Sequence, residues 1–279
     1  MGLLSGWGGS NRLRKIWISL QGLQLLMADI TNTTFWELNM NSAHDTNKDM
    51  TPYNDTAHNV GNAIFPGFND NGGIMICGYE WGESIKDQSL DENQKAEIKE
   101  KAEKVNTFFQ KTAIYNSPYD KRIVKWFSYF CCELGGNDGL SDLDKCLLQT
   151  NWCDDSGNYV SNYAKFLSTE NVENFLKIAA AFRPHVLIFM GIKQIEYLQS
   201  PVIKERFLEI FGAEISPVEI VKKPFDGKRF RVGFQKYEGV SIIALPHPSG
   251  SRGLKDDYIK LFVPEIKGIL DEFKEAMRI

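Results

Sequence analysis

The feature that most constrains the fold of this chain is a set of four short apolar runs, each closely followed by a glycine or a polar residue. Short runs of this kind between turn-forming residues are typical of strands buried on both faces. Helical patterns separate them, and this alternation predicts an α/β fold: a three-layer sandwich with a central, mainly parallel, four-stranded sheet. The four predicted strands are Ile74–Cys77, Cys146–Thr150, His185–Met190 and Val240–Leu245.

Local signals place the helices between these strands. Ser89 and Glu92 match a capping box and predict a helix that runs to about Lys111. The pair Ser117-Pro118 predicts the start of another helix, which has one apolar side and a stop at Gly135. Thr169 is predicted to cap, and so to start, a helix that runs through Ala181, and further helices are predicted directly after Gly191 and twice after the last strand.

Two N-terminal segments precede the predicted α/β domain. Residues 1–26 contain three basic residues and no acidic one, and the apolar run Ile16–Met27 is too short for a membrane span. We interpret this segment as an added leader rather than a signal peptide, with the working protein beginning near Met27. Residues 27–72, rich in Asn, Thr and Asp, are predicted to form an N-terminal cover, and residues 73–279 a single domain.

The charge and the cysteine content limit the kinds of partner and cofactor that we expect. The formal net charge is −4, so DNA binding requires a local basic patch. The chain has five cysteines and no C-x-x-C pair, which does not favour a disulfide framework, a structural zinc site or an iron–sulfur cluster. We therefore expect a cytoplasmic monomer with no metal, no cofactor and no membrane partner.

Three chemically versatile side chains follow the predicted strands: Glu80, Asn151 and His247. In parallel sheets, ligands bind outside the carboxyl ends of the strands, so we expect these side chains to meet at one edge. Each also has a structural explanation, because a carboxylate after a strand often caps a helix and an asparagine often forms a turn. Their convergence on successive strand ends is the main functional signal of the sequence.

The residues around these positions resemble the motifs of the uracil-DNA glycosylase superfamily. The family's first motif, G-Q-D-P-Y-H or a relative such as G-E-A-P-G, is similar to G-Y-E-W-G-E at Gly78–Glu83. Its final motif, H-P-S-P-L-S followed by R-G, is similar to H-P-S-G-S-R-G at His247–Gly253. The family strand that ends in a base-recognising Asn resembles Leu147–Asn151, and its third strand with a terminal Gly resembles Arg183–Gly191. The resemblance covers roughly residues 73–262.

The resemblance implies a monofunctional DNA glycosylase that hydrolyses the N-glycosidic bond of a flipped-out uracil or C5-modified pyrimidine and leaves an abasic site. Glu80 falls where the family has its water-directing carboxylate, and a carboxylate also stabilises an oxocarbenium-like sugar. His247 is expected to donate a hydrogen bond to the departing pyrimidine. Asn151 offers the acceptor and donors that read a pyrimidine edge. The base-binding set is completed by Tyr79, Trp81 and Gly82.

Gly82 stands where the best-known family members have a Tyr that excludes substituents at C5 of the pyrimidine. Its missing side chain implies a pocket that is open at C5, and a role in defence against phages with modified DNA. Ordinary uracil repair is the rival interpretation. Trp81, which replaces the motif proline, is an alternative occupant of the open space.

Contacts to the backbone of single- or double-stranded DNA are expected from two stretches. Near the final motif, a loop with polar residues leads into a helix, an arrangement that suits phosphate binding. Residues 222–236 contain six basic residues and a hairpin signal at Asp226-Gly227; the alternative is an edge hairpin without DNA contact. The candidate backbone contacts are Ser249, Ser251, Arg252, Lys255, Lys228, Arg229 and Arg231.

Two parts of the family's base-flipping machinery have no clear match. The loop after His247 is short, and Leu254 is the apolar residue nearest to the family's wedge leucine. For the aromatic that stacks on the flipped base, the candidates are Phe108, Phe109 and Tyr115.

Two other classes of function stay open at this point. One is another cleft enzyme, such as a nucleoside hydrolase or transferase; the other is a catalytically silent relative that only binds DNA or a protein. The chain has no G-x-S-x-G, P-loop, H-E-x-x-H or complete G-x-G-x-x-G motif. Serine hydrolase, nucleotidase and zinc protease activities therefore lack support.

Overall fold

The computed structural model describes residues 59–82, 90–94, 117–135, 141–157, 162–227 and 230–279, all within one compact unit. Several sequence predictions lie outside these residues. They are the leader, most of the helix expected up to Lys111, the stacking candidates Phe108, Phe109 and Tyr115, and the basic residues Lys228 and Arg229.

A mixed sheet forms the centre of this unit. Its strands and two short ones beside it are β1 (Ile74–Gly78), β2 (Trp81–Gly82), β3 (Leu147–Asn151), β4 (Ser156–Gly157), β5 (Val186–Phe189), β6 (Glu214–Val221), β7 (Val232–Tyr237) and β8 (Ser241–Ala244). The main sheet has six strands in the order β3-β1-β5-β8-β7-β6, and β2 pairs with β4 separately. The first four strands of that order are parallel to one another. They are the four predicted strands, with bounds that differ by one residue at one or both ends.

The main sheet has two strands more than predicted, because β7 and β6 extend it in the antiparallel sense. The strand β6 alternates between half-buried and exposed residues and contains Pro217. Proline lacks the N–H group that an inner strand requires, and it is tolerated here because β6 is an edge strand. Between β6 and β7 the chain turns at Asp226 and Gly227, whose φ angles are 45° and 65°. The hairpin signal at this dipeptide is therefore confirmed.

Seven helices and one 3₁₀ helix with both ends in the described ranges accompany the sheet. Their bounds are α1 (Pro118–Tyr129), α2 (Asp142–Cys146), the 3₁₀ helix (Tyr163–Leu167), α3 (Thr169–Phe182), α4 (Ile192–Leu198), α5 (Pro201–Phe211), α6 (Asp256–Lys260) and α7 (Val263–Met277). Within the same ranges, no helix combines the length and the apolarity needed to cross a membrane.

The helices form two layers, one on each face of the sheet. Successive residues of a strand point to opposite faces. Met75 and Cys77 pack in a core with α3, α4 and α5, whereas Ile74 and Ile76 pack in a second core with α1, α6 and α7. The predicted three-layer α/β arrangement is therefore confirmed.

The helix α1 begins where its sequence signal predicts. The Ser117 hydroxyl accepts a hydrogen bond from the Asp120 backbone N–H at 3.2 Å, which satisfies a donor left free at the helix start. The helix ends at Tyr129, earlier than the stop predicted at Gly135. The chain leaves the helix through Cys131, which has a left-handed backbone with φ 56°.

Two other helix starts differ slightly from the prediction. Asp91 and Gln94 exchange hydrogen bonds between their side chains and each other's backbone N–H groups, at 2.8 and 3.1 Å. This pair forms the capping box that was predicted for Ser89 and Glu92. The helix α3 is capped by Ser168, one residue before its predicted start.

The described part of the predicted N-terminal cover, residues 59–72, lies along the outer edge of β3. Val60 forms an antiparallel bridge with Thr150, and the Gly61 backbone N–H donates to the Gln149 carbonyl oxygen at 2.9 Å. The Asn62 side chain donates to the Leu147 carbonyl oxygen at 2.9 Å. This segment therefore pairs with one open edge of the parallel sheet.

Candidate functional site

The carboxyl ends of three parallel strands bring the predicted site residues to one edge of the sheet. The strands β1 and β3 pair with Gly78 opposite Asn151, and Glu80 follows β1 by two residues. The strand β8, parallel to β5, leads to His247 at the same edge. The topology thus places all three residues where ligands bind in parallel α/β sheets.

Asn151 occupies a space that only a glycine at position 78 leaves open. A Cβ atom on Gly78 would lie 2.2 Å from Oδ1 of Asn151 and 3.2 Å from the Tyr119 hydroxyl. The main-chain oxygen of Asn151 accepts a hydrogen bond from Nδ2 of Asn59 at 3.0 Å. Its side-chain amide has no hydrogen-bond partner among the described residues, although Asn151 is only 6% exposed. The donors and the acceptor of this amide are therefore available to a ligand.

The His247 ring is held as a neutral hydrogen-bond donor. The Gly250 backbone N–H donates to Nδ1 of His247 at 2.7 Å, so the proton of the neutral ring is on Nε2. Burial lowers the pKa of His247 to about 4, and the ring is therefore neutral at pH 7. A Cβ atom on Gly250 would lie 2.9 Å from Nδ1, so glycine permits this approach. The Nε2–H group suits an acceptor such as a carbonyl oxygen.

Two tyrosine rings pack against His247. The Tyr79 ring stacks on it with centroids 5.9 Å and planes 8° apart, and the Tyr119 ring centroid lies 5.3 Å away. Tyr79 is buried, and its hydroxyl accepts a hydrogen bond from the Lys193 backbone N–H at 3.2 Å. The predicted base contact Tyr79 thus has its hydroxyl engaged with α4, and its ring supports His247. Tyr119, which the sequence analysis did not single out, lies next to both His247 and Gly78.

Glu80 is almost enclosed and is paired with a lysine. Its side chain is 7% exposed and forms an ion pair with Lys165 of the 3₁₀ helix. Lys165 also donates to Oδ2 of Asp155 at 3.0 Å. Partial burial disfavours the charged form of Lys165, but the hydrogen bonds to Glu80 and Asp155 outweigh this effect and raise the pKa of Lys165. No sequence signal links Lys165 to Glu80, because the two lie 85 residues apart in the chain.

Trp81 and Gly82, the other two predicted base contacts, form β2 beside β4. The Trp81 indole N–H donates to Oδ1 of Asn59. The Asn59 amide donates in turn to the main-chain oxygens of Asn151 and Cys153, both at 3.0 Å. Apart from its chain neighbours, no described residue has an atom within 4 Å of the position that a Cβ on Gly82 would take. In the described part of the chain, the indole is thus tied to Asn59 and the space at Gly82 is open.

A basic cavity of about 470 Å³ adjoins the final motif. Three cationic side chains of α1 and one carboxylate line it, together with two prolines and a serine, and we call it the α1 groove. Its lining residues are Pro118, Lys121, Arg122, Lys125, Pro248, Ser249 and Asp256. Ser249, predicted to contact a DNA phosphate, therefore lies in a pocket with excess positive charge.

Arg122 fastens the loop after His247 to α1. Its guanidinium donates to the Pro248 carbonyl oxygen at 2.6 Å and forms an ion pair with Asp256 at 2.5 Å. Partial burial favours the protonated form of Asp256, but hydrogen bonds from Lys125, Arg122 and Trp126 outweigh it and lower the pKa of Asp256 to about 2. The carboxylate is therefore charged at neutral pH, and it orders the cations around it.

The remaining predicted backbone contacts near the final motif lie on the surface. Arg252 is exposed and Ser251 is half-buried. Lys255 forms an ion pair with Asp226 at 2.6 Å, with both side chains more than half exposed. This pair brings the turn of the β6–β7 hairpin close to the start of α6.

The hairpin region carries less free positive charge than its sequence indicates. Ion pairs join three of its basic residues to acids of the same protein: Lys223 to Glu265, Arg231 to Glu196 and Lys236 to Glu272. Phe225 and Phe230 pack their rings against Tyr258. These contacts favour the edge-hairpin interpretation for the described residues. DNA contact by Arg231, and by Lys228 and Arg229 outside the described residues, stays a prediction.

Leu254 is buried rather than projecting as a wedge. It packs in the core that includes α1 and α6, and its exposed fraction is 6%. The structure therefore does not support Leu254 as a counterpart of the family's wedge leucine. An exposed aromatic near the site is Tyr163, whose ring centroid lies 5.8 Å from that of Tyr79.

Two comparisons, with protein-family models and with curated proteins, give no match. In the described ranges, no group of three or more His, Cys, Asp or Glu side chains is arranged as metal ligands are. Function is therefore inferred from the geometry of the site.

The sequence analysis missed the residues of the site that come from helices. Lys121, Arg122 and Lys125 share a face of α1, and their spacing along the chain was a usable signal. The sequence analysis considered only the apolar side of this helix. Lys165 and Tyr119 had no comparable signal, because their role depends on contacts made in the folded protein.

Proposed function

We propose that this chain is a monofunctional DNA glycosylase with a uracil-DNA-glycosylase-like fold, which excises a flipped-out uracil or C5-modified pyrimidine and leaves an abasic site. The observation that carries the proposal is the meeting of three complementary groups at one sheet edge. They are the Glu80 carboxylate, the Asn151 amide without a partner among the described residues, and the neutral ring of His247. Their order along successive strand ends, which resembles that of the superfamily, supports the proposal further.

Each of these groups matches one requirement of the reaction. As the bond between the base and C1′ breaks, positive charge develops on the sugar and negative charge on the base. Glu80 stabilises the sugar cation and accepts a hydrogen bond from the water that attacks C1′. His247 donates its Nε2–H to a carbonyl oxygen of the base and stabilises the departing anion. The base leaves as an anion and takes up a proton from solvent.

Asn151 serves recognition rather than bond breaking. Its amide offers one acceptor and two donors, enough to pair with the polar edge of a pyrimidine. The amide group is able to turn over, so both uracil-like and cytosine-like edges are compatible with it. A base must leave the stack to reach this edge, so the substrate is a flipped-out nucleotide.

The α1 groove supports DNA as the partner. Three cations face one carboxylate there, beside a serine hydroxyl of the final motif. Phosphodiester groups bind to such clusters without regard to base sequence. This local charge compensates for the net charge of −4 of the whole chain.

The open space at Gly82 supports a C5-modified base as substrate. At this exposed glycine no described atom outside its chain neighbours would clash with a C5 substituent, whereas a tyrosine ring there would. Anti-phage defence is the corresponding biological role, because such bases are abundant in modified phage DNA.

The proposal is tested with oligonucleotides that carry a single uracil, 5-hydroxymethyluracil or glucosylated 5-hydroxymethylcytosine, in single- and double-stranded form. After incubation with the protein, alkali should break the strand at that base, and omission of alkali should leave it intact. DNA that is bound but never made alkali-labile would identify a silent relative. Cleavage of free nucleosides alone would identify a nucleoside hydrolase, and activity confined to uracil would favour repair.

A further inference from the structure

Lys165 is the side chain through which the structure holds Glu80. Their ion pair is partly enclosed, with 7% of the Glu80 side chain and 26% of the Lys165 side chain exposed. Among the described residues, Glu80 has no other hydrogen-bond partner. One carboxylate oxygen, Oε2, is therefore occupied, and Oε1 is left for another ligand.

Lys165 is itself held in place from several sides. Its main-chain oxygen accepts a hydrogen bond from the Asn171 side chain at 3.0 Å. The next residue, Phe166, is fully buried, and its main-chain oxygen accepts a hydrogen bond from the Trp152 indole at 3.0 Å. The Lys165 ammonium group also donates to Asp155 at 3.0 Å. The 3₁₀ helix therefore presents this ammonium group in a defined position.

The charges of this group suit the proposed reaction. One ammonium group and two carboxylates leave a net negative charge beside the place where a sugar cation forms. Asp155 shares the Lys165 charge, and it is the more exposed of the two carboxylates, at 53% against 7%. A buried carboxylate without a fixed partner would move toward solvent or rotate, and misplacement by about 1 Å is enough to slow catalysis strongly.

We propose that Lys165 is a positioning residue for Glu80: it holds Oε2 of the carboxylate so that Oε1 orients the attacking water. This inference rests on the proposed glycosylase function. It distinguishes Lys165 from the basic residues of the α1 groove, because Lys165 acts on the protein's own carboxylate and not on a phosphate.

The test is a double-mutant cycle with Glu80→Gln, measured as the single-turnover excision rate. Lys165→Met removes the charge, Lys165→Gln provides a second neutral variant, and Lys165→Arg keeps the charge. Lys204→Met is the matched control, because Lys204 forms a comparably exposed ion pair with Glu214 away from the site. Thermal unfolding of every variant shows that the proteins compared are folded.

We expect Lys165→Met and Lys165→Gln to lower the rate roughly 10- to 100-fold, and Lys165→Arg to restore most of it. In the Glu80→Gln background, the loss of Lys165 should have almost no further effect. The dissociation constant for DNA and its salt dependence should match those of the wild type and of Lys204→Met.

Two results would overturn the role of Lys165 while leaving the glycosylase proposal intact. One is an active wild type whose rate is unchanged in both neutral variants. The other is an equal loss in the wild-type and Glu80→Gln backgrounds together with a weaker salt dependence, which would make Lys165 a phosphate contact. A folded wild type that excises no base would instead overturn the proposed function itself.

Discussion

Two close approaches between residues shape the chemistry of the site. The Cα of Gly78 leaves room for Oδ1 of Asn151, and Gly250 brings its backbone N–H within 2.7 Å of Nδ1 of His247. In both places, a missing side chain on one residue sets the orientation of the functional side chain on another. The polar groups are thereby oriented before a ligand arrives, which is how electrostatic stabilisation of a transition state is most effective.

The first residue-scale prediction concerns the bond-breaking step. Glu80→Gln and His247→Ala should each lower the single-turnover excision rate by about 10²-fold or more, because each removes a group aimed at developing charge. DNA affinity, measured by fluorescence anisotropy, should change much less.

Matched controls exist for both variants. Glu173→Gln removes a carboxylate that pairs with Arg206 on the surface. His185→Gln removes a histidine just before β5, at the opposite edge of the sheet, whose pKa burial also lowers to about 4. If Glu80→Gln or His247→Ala excised the base as fast as its control variant, that residue would have no role in bond breaking.

The second residue-scale prediction concerns Gly82. Gly82→Tyr should lower the excision of a C5-substituted pyrimidine by at least roughly tenfold and spare uracil, because the ring would occupy the open space. Gly268→Tyr is the matched control, since a Cβ at that exposed helical glycine also has no atom within 4 Å among the described residues beyond its chain neighbours and the nearby helix backbone. Equal rates for both bases in Gly82→Tyr would contradict the open-pocket interpretation.

At the scale of elements, α1 joins the core to the site. One side of the helix buries Ile123, Trp126 and Phe127 in the core, and the other presents the cations of the α1 groove. In the β6–β7 hairpin, ion pairs to Glu265, Glu196 and Glu272 offset the charge of three of the four described cations, whereas the three cations of α1 face a single carboxylate. We therefore expect DNA phosphates to bind mainly to the α1 groove and less to the hairpin.

The element-scale prediction compares these two surfaces. The double variant Lys121→Gln/Lys125→Gln should weaken DNA binding for all sequences alike and reduce the slope of log affinity against log salt by about 1–2. The double variant Arg231→Gln/Lys236→Gln should change this slope less, because Arg231 and Lys236 pair with two different carboxylates, whereas the three cations of the α1 groove face Asp256 alone. Isothermal titration calorimetry or fluorescence anisotropy at several salt concentrations measures the affinity and the slope. A larger change of slope in the hairpin variant than in the α1 variant would instead identify the hairpin as the DNA surface.

At the scale of the whole molecule, buried histidines link folding to pH. The pKa values of His185 and His247 are lowered by burial from 6.5 to about 4. Between these values the unfolded chain binds protons that the folded protein does not, so the free energy of unfolding falls as the pH falls. Asp256, whose pKa is lowered from 3.8 to about 2 by its hydrogen bonds against an opposing effect of burial, adds a further loss at lower pH.

The corresponding prediction is a loss of stability between pH 6.5 and 4 of roughly 1–3 kcal/mol per histidine. Urea unfolding at a series of pH values measures it. In His185→Gln, the free energy of unfolding should fall less steeply between pH 6.5 and 4, because this variant lacks the imidazole that takes up a proton on unfolding. An unchanged slope in the variant would show that His185 titrates normally in the folded protein.

The sequence by itself determined the parallel part of the sheet and the edge at which the site lies. Short apolar runs such as Ile74–Cys77, bounded by turn-forming residues, are typical of strands covered on both faces, and strand ends in a parallel sheet meet at one edge. Because these are local or topological constraints, they predicted that Glu80, Asn151 and His247 follow strand ends at one edge of the sheet, which is where the structure has them. The signal at Asp226-Gly227 predicted the turn of the β6–β7 hairpin, but not that the hairpin extends the main sheet, because the pairing of β7 with β8 is a tertiary contact.

Only the tertiary structure decided what those side chains touch. The ion pair between Lys165 and Glu80 and the stacking of Tyr79 on His247 are contacts between segments distant in the chain. The hydrogen bond from Gly250 that fixes the His247 tautomer depends on the geometry of a turn. The same holds for charge, since the ion pairs that offset the charge of a basic residue join residues distant in the chain, as Lys236 and Glu272 show. The local pattern of apolar and polar residues predicts which residues are buried and where strands end. Hydrogen bonds and ion pairs at the candidate site depend on distances that only the folded chain sets.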